Sequence, residues 1–303
     1  MENLDTLRGL IACHCPDGRL QTVIPRVTLV RSDVATMPIG NTYRPVLCIV
    51  AQGEKRALIG EKIFEYGSGK YLIVSMDMPI SGGVTKASRE EPYLAFTLAL
   101  DPAMLAALLL DLPPSSPAAG LSPVMAISPL SEDLLDPVVR LVRLLDRPHE
   151  IPILAPLIER EILFRLIEGP QGAMLRQIAL SDSQLSRITR VIDWIKRNFA
   201  KPFRIDAAAE IANMSPSSLH RHFKAATMMS PLQFQKHVRL QEARRLLIAQ
   251  RADAASIGFA VGYESPSQFT REYARLFGSP PGRDGARLRR VASLDPRQIA
   301  EPL

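Results

Sequence analysis

Two stretches, fifty residues apart, place the same chemistry at the same spacing. Ser215-Pro216-Ser217-Ser218-Leu219-His220-Arg221-His222-Phe223 and Ser265-Pro266-Ser267-Gln268-Phe269-Thr270-Arg271-Glu272-Tyr273 share the pattern S-P-S-polar-apolar-x-Arg-x-aromatic. Ser caps a helix with its hydroxyl, and Pro takes the first helical position, where its missing N–H costs nothing. In the second copy Ser265 and Gln268 also have capping-box spacing. With Leu219 and Phe223, and Phe269 and Tyr273, turned inward at i, i+4, the outward set of the first copy is Ser217, His220, Arg221 and Lys224. That of the second is Ser267, Gln268, Thr270, Arg271 and Arg275. An arginine fork bridges O6 and N7 of guanine, a glutamine amide bridges N6 and N7 of adenine, and other cations meet phosphates. For Arg221 and Arg271 the competing roles are a phosphate contact or a salt bridge within the domain. His220 and His222, two residues apart, sit on different helix faces, which is poor metal geometry. His220 reads as a surface polar contact and His222 as structural.

The elements that must position these side chains are equally plain. Each copy follows a short Ala-rich helical stretch, Asp206 to Ala212 and Ala254 to Val261, and a tight turn. Gly262 in the second turn permits φ > 0 without a Cβ penalty, and Asn213 at the matching place is the next most tolerant type. A short helix, a tight turn and a second helix with Arg on its first turns is a helix-turn-helix, whose second helix faces the major groove. Pro231 to Ala249 reads as one long connecting helix, with Leu240, Ala243 and Leu247 on one face. Leu185 to Phe199 reads as a helix before the first unit. Two units on one stiff helix would dock in successive major-groove segments, roughly 34 Å apart. The outward positions of the two copies differ, so the site of one protomer is expected to be asymmetric. Beyond Pro280 a loosely ordered tail is expected, carrying Arg283, Arg287, Arg289 and Arg290.

Charge separates this region from the rest. Residues 182–303 hold 20 Lys and Arg against 11 Asp and Glu, a net of +9, whereas residues 1–181 hold 17 against 20, a net of −3. Only the C-terminal region is therefore expected to meet a polyanion. From Thr22 to about Leu100 the signals are those of short strands with glycine turns: 22–31, 46–50, 55–59, 62–66, 71–75 and 92–100. Such a run favours an antiparallel barrel or sandwich, and a closed barrel of this size holds one small ligand. Helices are predicted at 101–110, from Ser131 to about Leu145, and from Pro152 to Ile167. The second has a seam of Leu134, Val138, Leu141 and Leu145, suited equally to a cap on the barrel or to a dimer seam. Gln171 to Ser183 is not Gly/Ser-rich and reads as an ordered or partly helical connection.

The 303 residues carry three cysteines, Cys13, Cys15 and Cys48. An odd, sparse count argues against a disulfide framework and fits a reducing cytoplasm. No signal peptide is read at residues 1–10, and the most apolar stretch, 94–110, is split by Asp101 and Pro102, too interrupted for a membrane span.

Ala260 to Tyr273, with its Gly262-Tyr263 turn and its Phe269-x-Arg271-x-Tyr273 run, and then Phe277-Gly278-Ser279-Pro280-Pro281, resemble the C-terminal signature of AraC/XylS-type transcriptional regulators. Tyr43 to Gly53, Tyr71 to Ser75 and Ala155 to Ile162 resemble the cupin-like domain of one AraC subgroup. The resemblance implies an α+β two-domain chain. Residues 1–170 would form an antiparallel cupin-like β-barrel with flanking helices, for effector sensing and dimerisation. A linker would span 171–183, and 184–290 would form an all-α DNA-binding domain of seven helices with two helix-turn-helix motifs, before a tail at 291–303. The partners it implies are a double-stranded promoter or operator, a small-molecule effector, a second copy of the chain, and RNA polymerase. No cofactor, metal, membrane partner or enzymatic activity is expected. Metal-dependent cupins use clustered His with a Glu, and before residue 149 this chain has only His14. Cys48, in a predicted strand, reads as a small buried hydrophobe. Because some relatives respond to reactive aldehydes, an electrophile-sensing Cys48 is the alternative. Two rival classes are a cupin-like enzyme with an accessory nucleic-acid module, with Glu54, Glu61 and Glu65 as surface charge easily mistaken for a catalytic set, and a regulator without an effector.

Overall fold

The computed structural model describes residues 2–60, 62–113, 123–179, 184–249 and 253–294. It opens with α1 (Glu2–His14) and then runs through nine strands: β1 (Gly18–Gln21), β2 (Val27–Ser32), β3 (Ile39–Tyr43), β4 (Val46–Gln52), β5 (Glu54–Ile59), β6 (Lys62–Gly67), β7 (Lys70–Val74), β8 (Met78–Lys86) and β9 (Tyr93–Ala99). After α2 (Pro102–Leu110) and β10 (Met125–Pro129) come α3 (Glu132–Arg143), α4 (Ile151–Glu168) and α5 (Gly172–Ala179). The remainder is helical: α6 (Gln184–Arg197), α7 (Ile205–Ala212), α8 (Pro216–Thr227), α9 (Pro231–Ala249), α10 (Ala254–Ala260), α11 (Pro266–Phe277) and α12 (Pro281–Leu294).

The strands form two antiparallel sheets, β1-β2-β9-β4-β7-β10 and β3-β8-β5-β6. The expected antiparallel, cupin-like domain is present, its two sheets forming an open, jelly-roll-like sandwich rather than a closed barrel. β4 explains why alternation failed as a guide at its centre. Leu47, Ile49 and Ala51 face the helical layer of α1 to α5, while Val46, Cys48 and Val50 face the other sheet. A strand buried on both faces reads as a continuous apolar run. Four strands escaped the sequence reading: β1, β3, β8 and β10. β8 reads Met78-Pro79-Ile80-Ser81-Gly82-Gly83, poor in strand formers, yet pairs along β3 and β5. β10 completes an edge by pairing with β7.

The helices after the strands follow their caps. Asp101 accepts the backbone N–H of Ala103 at 2.8 Å to start α2. Ser131 stands at the N-cap of α3 without a side-chain cap bond, and α3 ends at Arg143, so Leu145 lies in a following 3₁₀ turn. Leu134, Val138 and Leu141 are buried in the core shared with α4 and the six-stranded sheet, so this seam packs within the chain and is spent there. Arg26, at φ +66°, aims its guanidinium at Glu159 of α4, with Nε to Oε1 at 2.9 Å and Nη2 to Oε2 at 2.6 Å. Met174 and Leu175 of α5 are buried in the same core, so the part of the expected connection that is described is an ordered helix; 180–183, like Glu61, residues 114–122 and 295–303 of the tail, lie outside the described residues.

The C-terminal region holds seven helices among the described residues, α6 to α12. The expected loose tail is instead α12 through Leu294. Its anchor is Asp284, fully buried, which accepts from Arg244 Nε at 2.8 Å, Tyr273 hydroxyl at 2.9 Å and Arg287 Nη2 at 2.7 Å. An arginine-rich stretch looked like a solvated end because its one buried acid has partners in two distant helices. The two regions also touch: α9 lies against β3 and β8, Arg244 Nη1 donates to the Pro38 carbonyl at 2.6 Å, and Lys196 pairs with Asp77. Breaking a buried pair strands its partner's charge. Asp284→Ala is therefore expected to destabilise the chain by about 3–5 kcal/mol in urea unfolding, releasing α12 without altering the sheets.

Candidate nucleic-acid interface

In the first unit α7 ends at Asn213, in the left-handed region at φ 50°, ψ 53°. Ser215 then caps α8, its hydroxyl accepting the Ser218 N–H at 3.3 Å. Leu219 and Phe223 are fully buried, and Phe223 meets Phe234 of α9 edge to face at 5.5 Å. That packing turns Ser217, His220, Arg221 and Lys224 outward, and all four are exposed. Among the described residues Arg221 has only His222 within hydrogen-bonding distance, at 3.5 Å.

In the second unit Asp253 caps α10, and Gly262 makes the turn at φ +92°. A Cβ on Gly262 would stand 2.2 Å from the Ala200 carbonyl oxygen, so the turn needs glycine for close approach as well as for its dihedral. Ser265 caps α11 through the Gln268 N–H at 3.4 Å, but the reciprocal half of the expected capping box is not made. The Gln268 amide instead donates to Glu272, one turn on, at 3.1 Å. Glu272 also accepts from Lys236 at 2.7 Å and from the Tyr263 hydroxyl at 2.9 Å; these donors hold its carboxyl below the usual range against the opposing effect of burial. Phe269 and Tyr273 are fully buried between Tyr263 and Phe277. Ser267, Thr270, Arg271 and Arg275 are exposed and Gln268 half-buried. Arg271 has no ion pair among the described residues. All nine expected side chains thus lie on the outer faces of two capped helices.

Sequence reasoning missed what fixes the two helices to each other. Arg239, on α9, donates to three backbone carbonyls: Phe199 through Nε at 2.6 Å, Lys201 through Nη2 at 2.8 Å, and Gly262 through Nη1 at 2.7 Å. Gln235, one turn earlier and buried, donates to Phe199 and Lys201 at 3.0 and 2.9 Å. The loop that leads into the first unit and the turn of the second therefore share one guanidinium. Its only sequence signal is a polar pair at i, i+4 on the long helix.

Cys48 is fully buried between the sheets, and burial pushes its thiol upward, away from the reactive thiolate. Glu54 is exposed and Glu65 pairs with Arg56 on the surface. Among the described residues no group of three His, Cys, Asp or Glu is placed to hold a metal, and no helix is long and apolar enough to cross a membrane.

A strand sandwich with a helical layer, followed by paired helix-turn-helix units on a shared helix, is the layout of a two-domain transcription factor. The sequence model for the N-terminus of AraC-type transcriptional regulators matches residues 23–174, and a helix-turn-helix domain model matches 208–287. The chain belongs to the AraC family of transcriptional regulators. It is 28% identical over 164 residues to the HTH-type transcriptional activator RhaS of Escherichia coli, a match over 52% of this chain and 58% of RhaS. The chain thus spans a little over half the length of the curated relatives it matches. Its fold is that of ToxT of Vibrio cholerae. One ToxT structure, solved with an unsaturated fatty acid bound, superposes with a TM-score of 0.54 at 8% identity, over 86% of this chain and 93% of ToxT. Another, in a P21 form, gives 0.54 at 10% identity, over 86% and 98%.

Gly262→Ala combines a left-handed dihedral with a backbone collision. It is expected to cost more than ~2 kcal/mol, seen as a lower thermal midpoint, with Asn213→Gly nearly neutral in the same assay.

Proposed function

We propose that the chain is a sequence-specific double-stranded-DNA-binding transcriptional regulator whose sheet sandwich responds to a small molecule. The observation that carries this reading is the pair of capped helices α8 and α11. Their inner faces are locked by aromatic packing, and their outer faces carry Arg221 and Arg271. A side chain held on the first turns of such a helix reaches base edges, and its neighbours reach phosphates. The positive C-terminal region supplies the sequence-independent attraction. Arg221 and Arg271 are the base readers in this proposal; Ser217, His220, Lys224, Ser267, Thr270 and Arg275 flank them. Gln268 reads a base only after exchanging Glu272 for it.

The sensing role is supported by family membership and by the contacts that tie the sandwich to α6 and α9. RhaS is described as an activator and ToxT has been solved with a fatty acid; both lend weight to a ligand-controlled regulator. A second copy of this chain is the proposed assembly partner. The outer face of α4 carries Ile153, Leu154 and Leu157, exposed at 70%, 37% and 61%, on an element adjoining the sandwich core. RNA polymerase and the cytoplasm complete the proposal by family resemblance.

The test begins by selecting bound duplexes from a random library. The expected consensus is non-palindromic within one protomer's footprint, with two half-sites one helical turn apart. Arg221→Ala and Arg271→Ala should each lose about 1–3 kcal/mol on that duplex and relax preference in different half-sites. Lys224→Ala should weaken all duplexes alike and lower the salt slope by about 1. Equal retention of the selected duplex by wild type and by the Arg221→Ala, Arg271→Ala double variant would sink the reading.

A further inference from the structure

Four charged side chains are buried among the described residues: Lys55, Glu159, Arg244 and Asp284. Glu159 faces Arg26, and Arg244 faces Asp284. Lys55 has no carboxylate partner among the described residues. It stands on β5 in the space between the sheets, 5% exposed, with its Nζ 5.6 Å from the centroid of the Tyr43 ring. A lone cation in an apolar interior carries a large desolvation cost, which an aromatic face offsets only in part.

Its surroundings are rich in unpaired donors. Among the described residues the buried hydroxyls of Tyr66 and Tyr93 make no hydrogen bond of ordinary geometry, although the Cys48 thiol stands close to that of Tyr93. Cys48, a weak hydrogen-bonding group, lies beside Tyr93, and Tyr43, Tyr66, Tyr93 and Cys48 are close enough to influence one another electrostatically. The Tyr43 hydroxyl and the Lys55 stem converge over Gly82 of β8, where a Cβ would lie 2.6 Å from that hydroxyl and 3.7 Å from Lys55 Cε. Buried hydroxyls without good partners are costly, and Lys55 pairs across the strands with Tyr66, so a buried ammonium without a carboxylate partner shares the space between the sheets with them. Val50, Leu72, Ile80 and Val84 belong to the same inter-sheet core as the three tyrosines. Tyr66 also lines an outer hollow of about 530 Å³, where the turns at Gly53 and Gly67 meet, so one member of the cluster borders solvent-open space.

We propose that Lys55, with the hydroxyls of Tyr43, Tyr66 and Tyr93, is the receptor for the small-molecule effector, and that the effector is a small monocarboxylate with an apolar body. One buried cation balances one negative charge; a phosphate dianion would be left half-compensated. The phenols donate to the carboxylate oxygens, and the aliphatic walls take the rest. This assignment rests on the sandwich acting as the sensor, and it adds the site and the ligand's charge.

The test uses the full chain with sodium hexanoate and sodium phenylacetate, the matched neutral amides, and inorganic phosphate, read by thermal shift and calorimetry. The carboxylates are expected to raise the midpoint by roughly 5 °C at a hundred times their Kd, with no shift from the amides or phosphate. Lys55→Met should lower carboxylate affinity at least ~100-fold. It should also leave the ligand-free midpoint unchanged or raised, because it removes an unpaired buried charge. Tyr66→Phe and Tyr93→Phe should each weaken binding while the fold stays intact. Equal shifts from amides, a carboxylate shift that survives Lys55→Met, or no carboxylate shift overturns the proposal. Stabilisation by a neutral compound that survives Lys55→Met would overturn the monocarboxylate receptor yet leave a sensing sandwich standing.

Discussion

The arrangement of the DNA-facing surface depends on one guanidinium. Arg239 reaches from the middle of α9 to the Phe199 and Lys201 carbonyls on one side and the Gly262 carbonyl on the other. A guanidinium holds five donors in a rigid plane, so it sets angles as well as distances. Lysine at this position could not hold three acceptors in one plane. The long helix alone fixes how far apart the two units are; the planar fork fixes how they are rotated about that helix. Successive turns of a groove demand both.

The helices proposed to carry the base readers were legible in the sequence because their signals are local. Ser215 and Ser265 cap, Pro216 and Pro266 start, and the i, i+4 pairs Leu219–Phe223 and Phe269–Tyr273 announce the inner face. The bounds of α9 were readable to the residue. What could not be read was settled by partners far along the chain. The α12 segment looks solvated until Asp284 is placed beside Arg244, forty positions away. β10 is a short edge whose pairing with β7 is a matter of topology. Gln268 has the spacing for a capping box, yet its amide prefers a carboxylate on the same face. The seam on α3 was ambiguous because an apolar stripe says only that something covers it; here α4 and the sheet do.

The polar groups between the sheets illustrate the same limit from the other side. Lys55 sits in the alternating stretch Glu54-Lys55-Arg56-Ala57-Leu58-Ile59, where it resembles its charged neighbours. Only the pairing of β5 with β6 and β8 shows that Glu54 and Arg56 point out while Lys55 points in. Strand alternation assigns residues to two faces without saying which face is wet. The conspicuous side chain of this interior is thus one the sequence presents as ordinary.

The apolar cores do not divide where the chain does. Residues between the sheets, such as Val74, Met78 and Ile80, share one continuous core with Ile192 and Ile195 of α6, Leu219 and Phe223 of α8, and Phe234 at the start of α9. The second unit has a separate core built from Leu240, Ile257, Phe269 and Tyr273. In the language of cooperative unfolding, the first helix-turn-helix unit is expected to open with the sandwich, and the second as a unit of its own. Slow amide exchange in α8 therefore reports on the sandwich, while exchange in α11 reports on local opening. Whatever tightens the sheets is therefore expected to act on one half of the proposed DNA surface directly, and to reach the other through α9.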